Sequence, residues 1–444
     1  MKKYSVISVA VFIIGLMLTP MLYAGPSSKC IKKLYDGDRA FSHVQVLEAF
    51  GPRVAGGDQE RAAADYIADE MASYGLDVEI QTFPIIYFED FGSELSVVGG
   101  DILAPNTLSY SPSGDFTSGV VYCGLGYPED FPPEVAGSIA LIKRGEMSFY
   151  DKTVNASAAG AQAVIIFNHS PGNFFGTLGD ITDIPAVSIS LEQGSALLDL
   201  VNGGPVTVSV SVSTDAYPTT SQNVIGTLEG RDPSQGIVYI GGHYDSVSAG
   251  PGANDNATGT ASVLETARVL ATRGHKTKAT LKFIAFGAEE IGLNGSEYYV
   301  TTNEAELVEK GLGMINLDMV GVGDTLLIGC IGTAALDLTD YAQAKATTMG
   351  ITPWEAFTAE SNSDHTYFEM VGVPSVFLQQ SPDPNYHTAE DTSEKIDPVA
   401  LEKNGELGCA VMYDWAKNPN LRTRKAAAKM AKVHVYRDRV HKTK

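Results

Sequence analysis

The spacing of apolar and polar positions divides the chain into three textures. The first holds Asp58 to Tyr74, a run of good helix formers that places Ile67, Met71 and Tyr74 on one face and ends at Gly75. This predicts a helix, followed by an extended segment over Asp77–Ile85. From Gly100 to Asp215, short β-like runs such as Gly119–Tyr122 and Ser138–Ile142 alternate with Gly, Pro and Ser turns. Within that stretch Tyr150–Ala159 predicts a helix leading into the strand Ala163–Phe167, and Ile184–Val187 leads into the helix Leu191–Val201. From Asn223 the period switches repeatedly between strand and helix. Ile237–Ile240, Thr280–Phe286, Met314–Leu317 and Val373–Leu378 predict strands, and Thr260–Leu270, Ser296–Val300, Leu336–Thr348 and Leu401–Trp415 predict helices. Alternation of this kind implies right-handed βαβ units. The expected fold is therefore α/β, a mostly parallel mixed sheet flanked by helices and interrupted by a small β-rich domain. The expected organisation is a leader over 1–24, a first domain in two parts (25–100 and 216–420), an inserted domain over 101–215, and a basic tail over 421–444.

Composition narrows the class. Of 444 residues, 44% are hydrophobic and 19% charged, which is a globular balance. Net charge is −22, although residues 422–444 carry nine Lys and Arg against one Asp. So acidic a body repels phosphate backbones, which excludes nucleic acid as the main partner. Lys2-Lys3, the apolar run Val6–Leu18 and the polar sequence after Ala24 have the order of an export signal, so a secreted, periplasmic or extracellular protein is expected. No stable membrane partner is expected beyond an uncleaved N-terminal anchor. Export permits disulfides, and one or two bridges are expected among Cys30, Cys123, Cys330 and Cys409. Their spacing contains no CxxC pair.

The chemistry gathers at predicted strand ends. Ile237–Ile240 is followed by His243, Asp245 and Asp255, Thr280–Phe286 by Glu289-Glu290, Met314–Leu317 by Asp318, and Val373–Leu378 by Tyr386-His387. Open α/β sheets bind ligands at this edge. Each piece alone is weak: a strand-end His is commonly structural, and adjacent glutamates are commonly a solvated pair. Their coincidence at one edge is the signal, since carboxylates brought together repel and divalent cations relieve them. Two imidazoles and several carboxylates suit zinc or a similar ion. The chain has no GxSxG, HExxH, P-loop or GxGxxG motif.

The ordered set GGHYDS, GANDNATGTA, FGAEEIGLNGSEYY, NLDMVG, SDHTYF and YHTAEDT resembles the co-catalytic di-zinc aminopeptidases of metallopeptidase family 28, from about Val238 to Thr392. GSIALIKRG, VNASAAGAQAVIIFN and DIPAVSIS resemble the protease-associated (PA) domain that some members carry. The resemblance implies a phosphorylase/hydrolase-like zinc exopeptidase with two zinc ions per chain. It puts His243 and Asp318 on one ion, Glu290 and His387 on the other, and Asp255, before a peptide bond often cis in the family, between them. It implies Glu289 as general base, Asp245 as acceptor of the second ring N–H of His243, and Tyr386 as donor to the oxyanion. The implied reaction removes N-terminal residues from peptides with a free N-terminus through a hydroxide shared by the ions. His365 is expected to stabilise its loop, while His43, His169, His275, His434 and His441 have no partner pattern.

Other readings compete. A carboxypeptidase or dipeptidase of the same clan would need arginines for the substrate carboxylate, and only Arg268 and Arg273 lie near the motifs. A glutaminyl cyclase would not need two complete ion shells. A non-catalytic binding protein on this fold would be expected to have lost ligands.

Overall fold

The computed structural model describes residues 34–272, 277–332, 335–354 and 362–419. The expected signal over 1–24, Cys30, Arg273, His275, His434, His441 and the tail over 421–444 lie outside them.

The chain opens with two helices. In α1 (Gly37–Ala49) the Asp36 side chain caps the N–H groups of Asp38 and Arg39, and α2 is Asp58–Ser73. Strand β1 (Asp77–Val97) extends well past the predicted segment, followed by the short β2 (Ile102–Leu103) and β3 (Asn106–Thr107). The inserted region contributes β4 (Gly114–Tyr122), β5 (Ile139–Lys143), α3 (Phe149–Ala158), β6 (Ala163–Phe167), β7 (Ala186–Ile189) and α4 (Leu191–Gly203). The long β8 (Thr207–Leu228) returns alongside β1, antiparallel over nearly its whole length. Then come β9 (Ile237–His243), α5 (Thr258–Thr272), β10 (Thr280–Phe286), α6 (Asn294–Thr302), α7 (Glu304–Lys310) and β11 (Gly311–Leu317). The chain closes with β12 (Thr325–Gly329), α8 (Leu336–Thr348), β13 (Pro353–Trp354), α9 (His365–Met370), β14 (Ser375–Ser381) and α10 (Pro398–Lys417).

Strands β14, β11, β9 and β10 are parallel neighbours in that order, while β12 and β8 join antiparallel at the two sides. The sheet is thus mixed with a parallel centre. Residue alternation along β9 builds both of its cores. Val238 and Ile240 join Val44, Ile67, Leu264 and Met412 under α1, α2, α5 and α10. Tyr239 faces the other way into an aromatic cluster with Phe286, Tyr299 and Phe368.

The sheet continues through β8 into β4, β5, β6 and β7. There the same period-two rule gives two separate cores. Ile139, Leu141, Ile165 and Phe167 pack on one face; Ala140, Ile142, Val164 and Ile166 pack on the other.

The expectation of disulfides is corrected among the described residues. Cys123 follows β4, Cys330 follows β12, and Cys409 sits on α10; all three are buried thiols. They belong to separate parts of the molecule, and burial pushes the Cys123 thiol up to about 12, so it stays protonated and unreactive.

Candidate metal centre

The four parallel strands end side by side, and each end delivers chemistry. His243 is the last residue of β9, Asp318 directly follows β11, Glu289-Glu290 follow β10, and Tyr386-His387 follow β14. Asp255 lies in the turn before α5, and its peptide bond to Asn256 is cis. A Cβ on Gly259 would lie 2.1 Å from the Leu317 carbonyl oxygen, so α5 approaches β11 only without a side chain there. Asn256 fills that junction. Its Nδ2 donates to the Leu317 carbonyl at 2.9 Å, and its Oδ1 accepts from the Gly259 and Met319 N–H groups at 2.8 and 3.1 Å. The segments bearing Asp255 and Asp318 are thereby stitched together.

The donor atoms fall into two triads that share Asp255. In the first, His243 Nε2 is 3.2 Å from Asp255 Oδ1 and 3.4 Å from Asp318 Oδ1. In the second, His387 Nε2 is 3.2 Å from Asp255 Oδ2 and 3.1 Å from Glu290 Oε2. Asp318 Oδ1 and Glu290 Oε1 are buried yet make no hydrogen bond. Buried carboxylate oxygens left without hydrogen bonds beside the two triads fit cations, and the His/carboxylate mixture fits zinc. Glu289 belongs to neither triad; its Oε2 is 3.8 Å from His243 Nε2.

The electrostatics reflect this crowding. Burial raises Glu289 well above the usual carboxylate range, with Asp318, Asp364 and Glu290 adding to it. Glu290 is pushed up to about 7 by burial and by Asp255. Burial opposes the charge on Asp255, but hydrogen bonds from His243 and His387 bring its carboxyl down to about 2. Burial would also lower His387, yet Asp255 and Glu290 hold it up at about 10. Without cations, the histidines must stay protonated to offset the acids.

Asp245 does more than the expectation assigned to it. His243 Nδ1 is 3.2 Å from the Asp245 carbonyl and 3.5 Å from its carboxylate. The carboxylate itself accepts the N–H of Glu289 at 3.0 Å and of Glu290 at 3.1 Å, fixing that turn. Tyr386 is half exposed on the cavity rim and stacks on His387, ring centroids 3.7 Å apart. His365 is buried and stacks on Phe377 at 4.7 Å. Ser363 donates to Asp318 Oδ2 at 2.7 Å.

Sequence reasoning missed Arg53. Its fully buried guanidinium donates to the carbonyls of Tyr244, Leu47, Pro251 and Gly252, holding the loop between His243 and Asp255 from behind. The signal available was an arginine between glycines ahead of a helix, which is too common to single out. Arg268 is occupied too, paired with Glu265 at 2.5 Å.

The triads open onto a cavity of about 780 Å³. Its walls include Leu293, Met319, Tyr367, Met370 and Phe377, with Asp383 near the mouth. No Lys or Arg lines it among the described residues.

Two donor triads sharing Asp255 at a parallel strand edge, with a glutamate held just outside them, fit a metallohydrolase of the α/β class. The sequence carries the assignment further, because the family model for peptidase family M28 matches residues 223–412 and that for the PA domain matches residues 109–197. The chain is 34% identical over 440 residues to aminopeptidase YwaD of Bacillus subtilis, covering 94% of each chain. The aminopeptidase from Aneurinibacillus sp. strain AM-1 superposes with a TM-score of 0.73 at 36% identity, over 88% of this chain and 96% of that one. A zinc aminopeptidase from Bacillus subtilis superposes with a TM-score of 0.65 at 34% identity, over 86% and 95%. The protein belongs to peptidase family M28 and carries an inserted PA domain.

Proposed function

We propose that this protein is an exported aminopeptidase that uses two zinc ions per chain. His243, Asp255 and Asp318 hold one ion; Asp255, Glu290 and His387 hold the other. When bound, such a pair supplies Lewis acidity and brings the pKa of a bound water to about 7. Glu289, outside both triads, would take a proton from the attacking water and pass it to the departing amine. Asp245 accepts both N–H groups of the Glu289-Glu290 turn, which would leave Glu290 to hold an ion and Glu289 free to handle the proton. The Tyr386 hydroxyl, on the rim beside His387, donates to the oxygen of the tetrahedral intermediate.

The observation that carries an N-terminal specificity is the charge of the cavity. Carboxylates line it, and among the described residues no Lys or Arg does. A free α-ammonium is at home there, whereas a terminal carboxylate has no partner. The apolar wall of Met319, Met370 and Phe377 suits a hydrophobic first residue. The peptidase unit comprises 25–100 and 216–420, interrupted by 101–215, with the segment 1–24 directing export. No helix among the described residues is long and apolar enough to cross a membrane.

Aminoacyl p-nitroanilides, their N-acetylated forms and N-blocked dipeptides test the reading. Cleavage of leucyl and methionyl substrates only when the amine is free, lost with chelator and restored by zinc, is expected. Cleavage of the N-blocked series would replace the aminopeptidase with a carboxypeptidase.

A further inference from the structure

The two ion positions draw on unequal supports. His243 and Asp318 stand at the ends of β9 and β11, adjacent strands in continuous register from Ile240 and Ile315 to Gly241 and Asn316. Asp255, which both triads share, and His387 instead come from two loops, 250–256 and 382–391, so the second triad takes two of its three residues from loops and the first only one. Those loops meet at Asp391, which is 2% exposed. Asp391 Oδ1 accepts the N–H of Asn254 at 2.7 Å, Oδ2 accepts the N–H of Asp255 at 3.1 Å, and its carbonyl accepts the N–H of Ala253 at 3.1 Å. Three successive amides of the Asp255 segment thus end on a single residue, four positions after His387. Asp383, four positions before His387, adds a second tie: its Oδ2 accepts from Asn254 Nδ2 at 2.8 Å, and its Oδ1 accepts from the Asn385 N–H at 2.8 Å. No side chain fits between the loops at Gly250, where a Cβ would lie 2.0 Å from the Thr388 carbonyl oxygen.

We propose that Asp391 is a positioning residue for the second ion, setting Asp255 against His387, while the first ion depends mainly on the strand ends. The inference rests on the two-ion reading above. Asp391 does not line the cavity and belongs to neither donor triad, so it acts through the backbone of Asp255. Removing its carboxylate leaves two buried N–H groups without acceptors, a state the loop relieves by shifting. The 3.2 Å approach of His387 Nε2 to Asp255 Oδ2 then loosens. An asparagine keeps only one acceptor oxygen and turns an NH₂ group toward the other N–H.

Calorimetric titration of the chelated full chain with zinc tests this on the wild type, Asp391→Asn and Asp391→Ala. Partners that orient metal ligands commonly change affinity by about 10- to 100-fold. The second ion is expected to weaken by about tenfold or more in Asp391→Asn, and the first, which shares Asp255 but keeps His243 and Asp318 on the strand ends, to weaken less. Asp391→Ala is expected to show the same asymmetry, larger; if it does not fold, Asp391→Asn decides. Equal weakening of both ions, or two ions bound as in the wild type, would overturn the inference and leave the two-ion site standing. A wild-type chain that takes only one ion would remove the two-ion reading, and this inference with it.

Discussion

Glu289 and Glu290 share a turn and nearly the same burial, yet only Glu290 enters a triad. The division of labour rests on which way each carboxylate points, and the Asp245 carboxylate, by accepting both N–H groups, fixes that direction. Glu289→Gln keeps the shape and removes the proton acceptor. It is expected to lower kcat by about 10²–10⁴, the usual worth of a general base, while zinc content by atomic absorption stays at the wild-type value. Loss of the zinc along with the rate would instead make Glu289 a ligand. At this scale the sequence was informative where a residue's chemistry and its place after a strand coincided, as for His243, Asp318 and His387. It was silent on Asn256, Arg53 and Asp391. Their partners are backbone groups far away in sequence, and nothing in a side chain's identity announces which amide it will meet.

Several elements were legible almost to the residue: β6, β10 and α8 span the predicted segments, and α5 and α10 differ only at their ends. Helix α1 and strand β8 were among those that were not. Helix α1 is held by burial of Val44 and Leu47 against α5 and α10, a tertiary effect. Strand β8 alternates Val with Ser and Thr over its first residues, but Asp215, Pro218 and the polar run to Asn223 break the pattern, and pairing with β1 supplies the missing order. Glu60 shows how such elements are joined. It is fully buried on α2, where its carboxylate accepts from the Gly56 N–H at 2.6 Å and from Ser221 Oγ of β8 at 2.5 Å. Burial and the nearby Asp245 push it up to about 8. An acid raised above its ordinary value binds its proton more tightly folded than unfolded. Stability is therefore fully supported below the unfolded pKa and falls as pH rises toward about 8. Glu60→Gln can donate to Ser221 Oγ and accept from Gly56 without ionising. Thermal unfolding of the chelated protein between pH 5 and 9 is expected to show the midpoint falling less steeply with pH in Glu60→Gln than in the wild type, the remaining slope coming from the raised carboxyls of the metal centre. Parallel curves would mean that Glu60 is ionised in the folded state.

One sheet runs through the whole molecule, yet its cores are separate. The cores of the central strands and the two around β5 and β6 share no residue, and the connection between them is the β1–β8 ribbon, much of it half-exposed. Every donor of the two triads lies on the first side of that ribbon. A ligand stabilises only the unit that unfolds with it, by RT ln(1 + [L]/Kd), about 4 kcal/mol at a thousandfold excess over Kd. The carboxylates left facing each other without zinc add to the contrast between the loaded and stripped states. Scanning calorimetry is therefore expected to resolve two transitions, of which chelator lowers only the one belonging to the peptidase core, while the transition of the PA domain stays in place. A single transition that moves as a whole on chelation would show the opposite. The ribbon's backbone pairing would then transmit the zinc's stabilisation across the molecule, making the inserted domain part of one cooperative unit.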